Sequence, residues 1–132
     1  MREIEFRAWD NRQNKYLNPD DVSISADGFI TVSNVDGKHS RAVQPPGDLS
    51  PWFIIEQYTN LKDKNGTEIY EGDVVKVEGD GEIYRVEWIY SGFGLEPRYN
   101  SPRYPILGNV KLRKKIEVIG NIHENPELLE EK

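Results

Sequence analysis

Residues 57–77 read QYTNLKDKNGTEIYEGDVVKV. Asp63, Glu68, Glu71 and Asp73 crowd this stretch, and it reads either as a metal or catalytic site or as the turn chemistry of a β-protein. A calcium loop would need glycine at its sixth position and a bidentate glutamate at its twelfth. Counted from Asp63, Gly66 falls fourth and Glu68 sixth, so the register fails. Asn65-Gly66, by contrast, supplies the backbone freedom of a tight turn. Gly72-Asp73 then leads into the strand-like run Val74-Val75-Lys76-Val77. The stretch is read as turns between strands.

The same alternation extends outward in both directions. Ile4, Phe6 and Ala8 alternate with Glu5 and Arg7, and NRQNKYL follows as a turn and short return strand. VSISADGFITVS places Asp27-Gly28 between two alternating arms, a hairpin signal. Asp36-Gly37 marks a further turn. Beyond Gly79-Asp80-Gly81, the residues Tyr84, Val86, Trp88 and Tyr90 share one strand face, with Arg85 and Glu87 on the other. A long excursion is expected over 91–108, which holds three prolines and three glycines. A last strand is expected from about Lys111 to Ile122, then a frayed turn in ENPELLEEK.

These signals predict a mainly β protein with an N-terminal β lobe, residues 1–56, packed on a C-terminal small SH3-like barrel, residues 57–132, ending in an acidic tail. The proline-rich run 41–51, RAVQPPGDLSP, is expected to be a surface connection. One alternative is α+β, with a short helix near 50–58, because Ser50-Pro51 can open a helix. The β-branched pair Ile54-Ile55 favours a strand there.

The 132-residue chain is large enough to bury a core without a covalent staple. It has no cysteine, which excludes disulfides, thiolate metal sites and thiol nucleophiles. Charges at positions 2, 3, 5, 7 and 10 argue against a signal peptide, and no apolar run approaches the roughly 20 residues that cross a bilayer. A cytoplasmic protein with no membrane partner is expected.

Three blocks together carry a family likeness: FRAWD (6–10), QYTNLKDKNGTEIYEGDVV (57–75) and VIGNIHENPELL (118–129). In this order they resemble the YopX family, small proteins of bacteriophages and bacterial prophages. The resemblance implies a β-rich phage accessory protein with no established activity and no catalytic residues to carry over. The family pattern usually has glycine where this chain has Asn60, and asparagine also tolerates the left-handed conformation.

Direct signals of chemistry are few. The two histidines, His39 and His123, lie far apart, and neither a G-x-S-x-G elbow nor a phosphate-binding glycine loop is present. No enzyme, no cofactor and no metal is therefore expected. A magnesium-dependent hydrolase built on Glu68, Glu71, Asp73, Glu78, Asp80 and Glu82 is the least favoured reading, because solvated turns account for those acids. Trp9 is expected in the core rather than as a ligand-stacking group.

The strongest asymmetry lies between residues 97 and 115. Arg98, Arg103, Lys111, Arg113, Lys114 and Lys115 give six positive charges without an acid, so the remainder of this −6 chain carries −12. Tyr99 and Tyr104 are interleaved. Cations neutralise phosphates and rings stack on unpaired bases, which makes single-stranded nucleic acid the alternative partner. The leading expectation is a protein-interaction module that binds a protein partner or itself as a homo-oligomer.

Overall fold

The structure is a computed structural model and describes residues 4–35, 40–48, 51–79, 81–89, 92–97 and 114–130. The protein is mainly β. Among the described residues all regular structure is strand, apart from 3₁₀ turns at Pro19–Asp21 and Pro126–Leu129. In chain order the strands are β1 (Phe6–Asp10), β2 (Lys15–Tyr16), β3 (Val22–Ile24), β4 (Ile30–Val35), β5 (Ser40–Gln44), β6 (Phe53–Lys62), β7 (Glu68–Tyr70), β8 (Asp73–Val77), β9 (Ile83–Ile89), β10 (Gly92–Pro97) and β11 (Ile116–Asn121). The chain divides into two compact units, Phe6–Glu56 and Gln57–Lys132 with Met1–Glu5, so the division falls within β6.

In the unit Phe6–Glu56, β1 lies between β2 and β6. The β1–β2 turn is closed by Asp10, whose Oδ1 accepts from the Arg12 N–H at 2.8 Å and the Gln13 N–H at 3.3 Å. A separate antiparallel sheet has the order β3-β4-β5. Its first hairpin turns through Gly28 at φ +92°, as Asp27-Gly28 predicts. Val32, Val35 and Phe53 form the core, lined by Leu17, Val22, Ile30 and Ala42. Trp9 is buried, as expected, with its ring edge-on to Tyr16 at 5.0 Å.

The helix considered near 50–58 does not form, since β6 occupies Phe53–Lys62. The Gln44 side chain binds both backbone groups of Phe53, accepting from its N–H at 3.0 Å and donating to its carbonyl at 2.9 Å. That amide serves as a strand partner for the first residue of β6. It satisfies both backbone groups at the start of the strand. The connection expected over 41–51 is also shorter than it reads, because β5 takes residues up to Gln44.

In the second unit β6 pairs with β7, and the register shifts between Tyr58 and Lys62. Asn60 sits in that irregularity at φ +67°, the left-handed conformation expected of it. Replacing Asn60 by Gly is expected to change unfolding free energy by less than about 0.5 kcal/mol. Replacing it by Val should cost about 1–2 kcal/mol, because a branched Cβ clashes at positive φ. Urea denaturation of the two variants checks the pair.

The remaining strands form a four-stranded antiparallel sheet, β10-β9-β8-β11, curled into a half-barrel. Ile69, Val75, Val77, Tyr84, Val86, Leu95 and Ile116 fill its core, with Leu61, Phe93 and Val118 at the margin. Each such side chain contributes roughly 1.5–3 kcal/mol by leaving water. The excursion expected from residue 91 is in part wrong. Residues 92–97 are β10, in register with β9 from Gly92↔Ile89 to Pro97↔Tyr84. The glycines and proline suggested a loop, yet Pro97 ends an edge strand, where proline is tolerated.

Two further expectations shift. Trp88 does not share the burial of Tyr84 and Val86; it is exposed near the end of β9, edge-on to Phe93 at 5.0 Å. The last strand is shorter than 111–122, because β11 runs from Ile116 to Asn121 and Lys114-Lys115 lie in a turn. Asp36-Gly37, Tyr90 and residues 98–113 lie outside the described residues.

Candidate functional site

Three acids of the 57–77 stretch, Asp63, Glu71 and Asp73, bind backbone. Asp63 is 7% exposed. Its Oδ1 accepts from the Asn65 N–H at 2.8 Å and the Thr67 N–H at 2.9 Å, while Oδ2 accepts from the Val118 N–H at 2.9 Å. One carboxylate thus closes the β6–β7 turn and ties it to β11, 55 residues away. Asp73 Oδ2 accepts from the Tyr70 N–H at 2.8 Å, and Glu71 Oε1 from the Gln57 N–H at 2.9 Å. Glu82 accepts from the Ile83 N–H at 3.0 Å. Buried N–H groups need such acceptors, and turn geometry supplies the acids that meet them. Asp80 lies outside the described residues. Among the described residues no group of three or more acids or histidines is placed to hold a metal ion.

Of the basic segment, Arg98, Tyr99, Arg103, Tyr104, Lys111 and Arg113 lie outside the described residues. Lys114 and Lys115 are exposed before β11, with the Lys115 carbonyl accepting from the Glu78 N–H at 2.9 Å. Acids stand close by on this side of the sheet. Lys64 Nζ is 3.8 Å from Glu78 and 3.6 Å from Glu117, and Lys76 Nζ is 3.7 Å from Glu117. Such surface pairs contribute little stability, about 0–1 kcal/mol each, but they interrupt a purely cationic surface.

A different charged cluster was hidden from the sequence. Arg85 on β9 lies 2.7 Å from Glu87 and 2.6 Å from Glu96 of β10. Glu96 could not be placed there while residues 91–108 read as a loop. The Glu87 carboxyl is pushed up from 4.5 to about 7, chiefly by burial, then by its hydrogen bond with Glu96, against the pull of Arg85. Glu96 is held below its ordinary value by hydrogen bonds from Glu87 and Arg85. The hydrogen bond between the two carboxyls raises Glu87 and lowers Glu96, so the pair titrates together.

A raised carboxyl favours the folded state fully below its unfolded value, and that contribution is lost as pH climbs through the folded value. Between pH 4.5 and about 7, Glu87 therefore makes stability fall with rising pH. Glu96 acts oppositely, contributing above its ordinary value and losing that contribution in acid. Glu87→Gln is expected to flatten the decline between pH 5 and pH 8. Thermal melts of both proteins across that range check it. A variant whose melting temperature follows the original at every pH would disprove the assignment.

Among the described residues, the unit Phe6–Glu56 carries exposed apolar side chains beside two clefts. Phe6, Arg7, Ala8, Pro19, Val22 and Ile24 line a cleft of about 240 Å³. Ala42, Val43, Gln44, Asp48, Trp52 and Phe53 line another of about 210 Å³, beside β5. Trp52 is 53% exposed and Val43 57% exposed. The Arg12 guanidinium stacks on Trp52, 4.1 Å from the ring centroid. Sequence reasoning passed over Trp52. Its only signal was a position between Pro51 and β6, outside the alternating pattern that buries aromatic residues.

Comparison with known proteins agrees with this fold. A search of curated proteins finds no match. Protein EF1440 from Enterococcus faecalis is similar over 98% of this chain and 100% of its own, at 26% identity and a TM-score of 0.62. Protein yopX from Bacillus subtilis is similar over the same shares, at 22% identity and a TM-score of 0.64. The family model described as YopX protein matches residues 5–130. The chain belongs to the YopX family.

Proposed function

We propose that this protein is a non-enzymatic interaction module of a bacteriophage or prophage, working in the cytoplasm by binding protein, itself included. One observation carries the reading: buried acids are engaged with backbone N–H groups, while Trp52 and Val43 stand exposed around a cleft. Exposed aromatic and branched side chains beside concave surface favour protein contact. Family kinship supports the phage setting, and the half-barrel β10-β9-β8-β11 supports an SH3-like scaffold for the second unit. Among the described residues no helix is long and apolar enough to cross a membrane.

Light scattering over a wide concentration range, repeated with an oligonucleotide at two salt levels, tests the reading. A concentration-dependent oligomer that ignores the oligonucleotide supports it. A monomer that binds the oligonucleotide, with affinity falling steeply in salt, transfers the function to the 97–115 segment. That second reading draws on six cations without an intervening acid, of which Lys114 and Lys115 are exposed.

A further inference from the structure

We propose that the outer edge of β3 takes up an extended strand of a foreign protein, one with apolar residues at alternate positions and arginine or lysine at both ends. The inference rests on the protein-binding reading above and gives it a surface distinct from the Trp52 cleft.

In the order β3-β4-β5, β3 is outermost and has β4 on one side alone. Antiparallel pairs alternate between residues that exchange hydrogen bonds and residues that do not. The Ser25 N–H donates to the Phe29 carbonyl at 2.9 Å, and pairing continues through Ile24↔Ile30, Ser23↔Thr31 and Val22↔Val32. Ser25 and Ser23 thus turn their backbone groups to β4, while Ile24 and Val22 turn theirs outward. The Val22 N–H returns to the Pro19 carbonyl. The Val22 carbonyl and both backbone groups of Ile24 remain, without a partner among the described residues.

Such an edge accepts an added strand, and pockets beside it select the side chains. Val22 and Ile24, two residues apart, project to one face and line the cleft of about 240 Å³ with Phe6 and Ala8 of β1. Phe6 is 40% exposed and Ile24 36%, so these apolar walls are open. The cleft is smaller than the roughly 300–1,000 Å³ of small-molecule sites and suits side chains carried in on a strand. A residue directly opposite Ile24 shares its side of the sheet, so its side chain meets the cleft. The residue two positions along does the same opposite Val22.

Charge decides the kind of strand. Arg7 also lines the cleft, but it is bound to Glu56 at 2.8 Å and stacked on Tyr16. Asp20 and Asp21 stand immediately before β3, and Asp27 lies in the turn after it. Asp21 accepts from the Asn34 amide at 2.9 Å and Asp27 from the Ser25 hydroxyl, both neutral donors. No cation among the described residues pairs with any of these three acids. Acids therefore bracket the edge, and a strand with cationic ends complements them. A second copy does not. Only a two-fold axis at Ile24 uses both outward groups of that residue in both copies, and it sets Asp21 against Asp27 on either side. Because β3 is three residues long, the complex is weak and needs both the backbone bonds and the cleft.

The test uses the full chain and a synthetic peptide of alternating valine and threonine with arginines at both ends. Fluorescence anisotropy of the labelled peptide gives the affinity, and NMR of the protein amides locates the contact. The Ile24 amide signal is expected to move downfield as its N–H gains an acceptor. Ile24→Pro removes that donor at an edge position where proline is tolerated, and binding should weaken tenfold or more. Asp20→Lys should weaken it about fivefold and reduce its salt dependence. Urea denaturation confirms folding, and the exposed Asp20 position decides the matter even if Ile24→Pro does not fold. A peptide with glutamates in place of the arginines should not bind. Equal binding of the two peptides, or binding indifferent to either folded variant, would overturn the β3 assignment and leave protein binding in force. No binding at millimolar peptide would overturn it too, and the protein-binding reading falls with it only if light scattering also shows a lone monomer. Ile24 shifts that grow with protein concentration in the absence of peptide would give the edge to a second copy and overturn the foreign strand.

Discussion

Asp63→Ala is expected to lower unfolding free energy by about 3–5 kcal/mol. Removing the carboxylate deprives the N–H groups of Asn65, Thr67 and Val118 of their acceptors. Each lost acceptor costs about 1–3 kcal/mol where water cannot replace it, and part of this turn is solvated. Asp63→Asn separates capping from charge. It keeps one carbonyl oxygen, able to cap Asn65 and Thr67, but turns an amide donor towards Val118. Its cost should fall near half that of Ala. Urea denaturation of both variants gives the comparison, and an Ala variant within about 1 kcal/mol of the unaltered protein would show that this residue holds nothing together.

The second large effect is expected at Leu95, which is fully buried on β10. Leu95→Ala should cost about 2–5 kcal/mol, through lost transfer from water and the cavity left against its core neighbours Val86 and Ile116. A leucine in a surface excursion would cost less than about 0.5 kcal/mol on the same substitution. The measurement therefore decides directly between a tenth strand and a loop. Because β10 is an edge strand, Leu95→Ala should also loosen Phe93 and with it the edge-on contact to Trp88. A shift in Trp fluorescence would accompany the lost stability.

These two positions illustrate what the sequence discloses and what it withholds. Asp63 and Asn65-Gly66 announced a turn, because local φ preference and side-chain capping act within a few residues. That the other oxygen of Asp63 reaches Val118 depends on folding, and no local pattern carries it. Asn60 was legible for the same local reason, its left-handed backbone being a property of one residue type. Leu95 was misread because Gly92, Gly94 and Pro97 weigh against a strand in isolation. Pairing with β9 overrides that preference, as tertiary context often does for β structure.

The candidate surface was less legible still. Trp52 belongs to no alternating run, and its exposure follows from where β5 and the start of β6 place it. Arg85 and Glu87 were visible as one polar strand face, yet their partner Glu96 arrived only with β10. The basic segment was conspicuous in composition, because charge counting requires no fold. Composition could not reveal that Lys114 and Lys115 lead into a strand that carries Glu117, with the Glu78 N–H bonded to the Lys115 carbonyl.

The most direct test is amide hydrogen exchange by NMR at Asn65, Thr67, Tyr70 and Val118, compared between the unaltered chain and Asp63→Ala. Strong protection at all four, lost at Asn65, Thr67 and Val118 but kept at Tyr70 in the variant, is the expected outcome, since Tyr70 is held by Asp73. Free exchange at those amides in the unaltered chain, with protection gained only on adding a divalent cation, would mean that the acids gather an ion instead of holding the backbone.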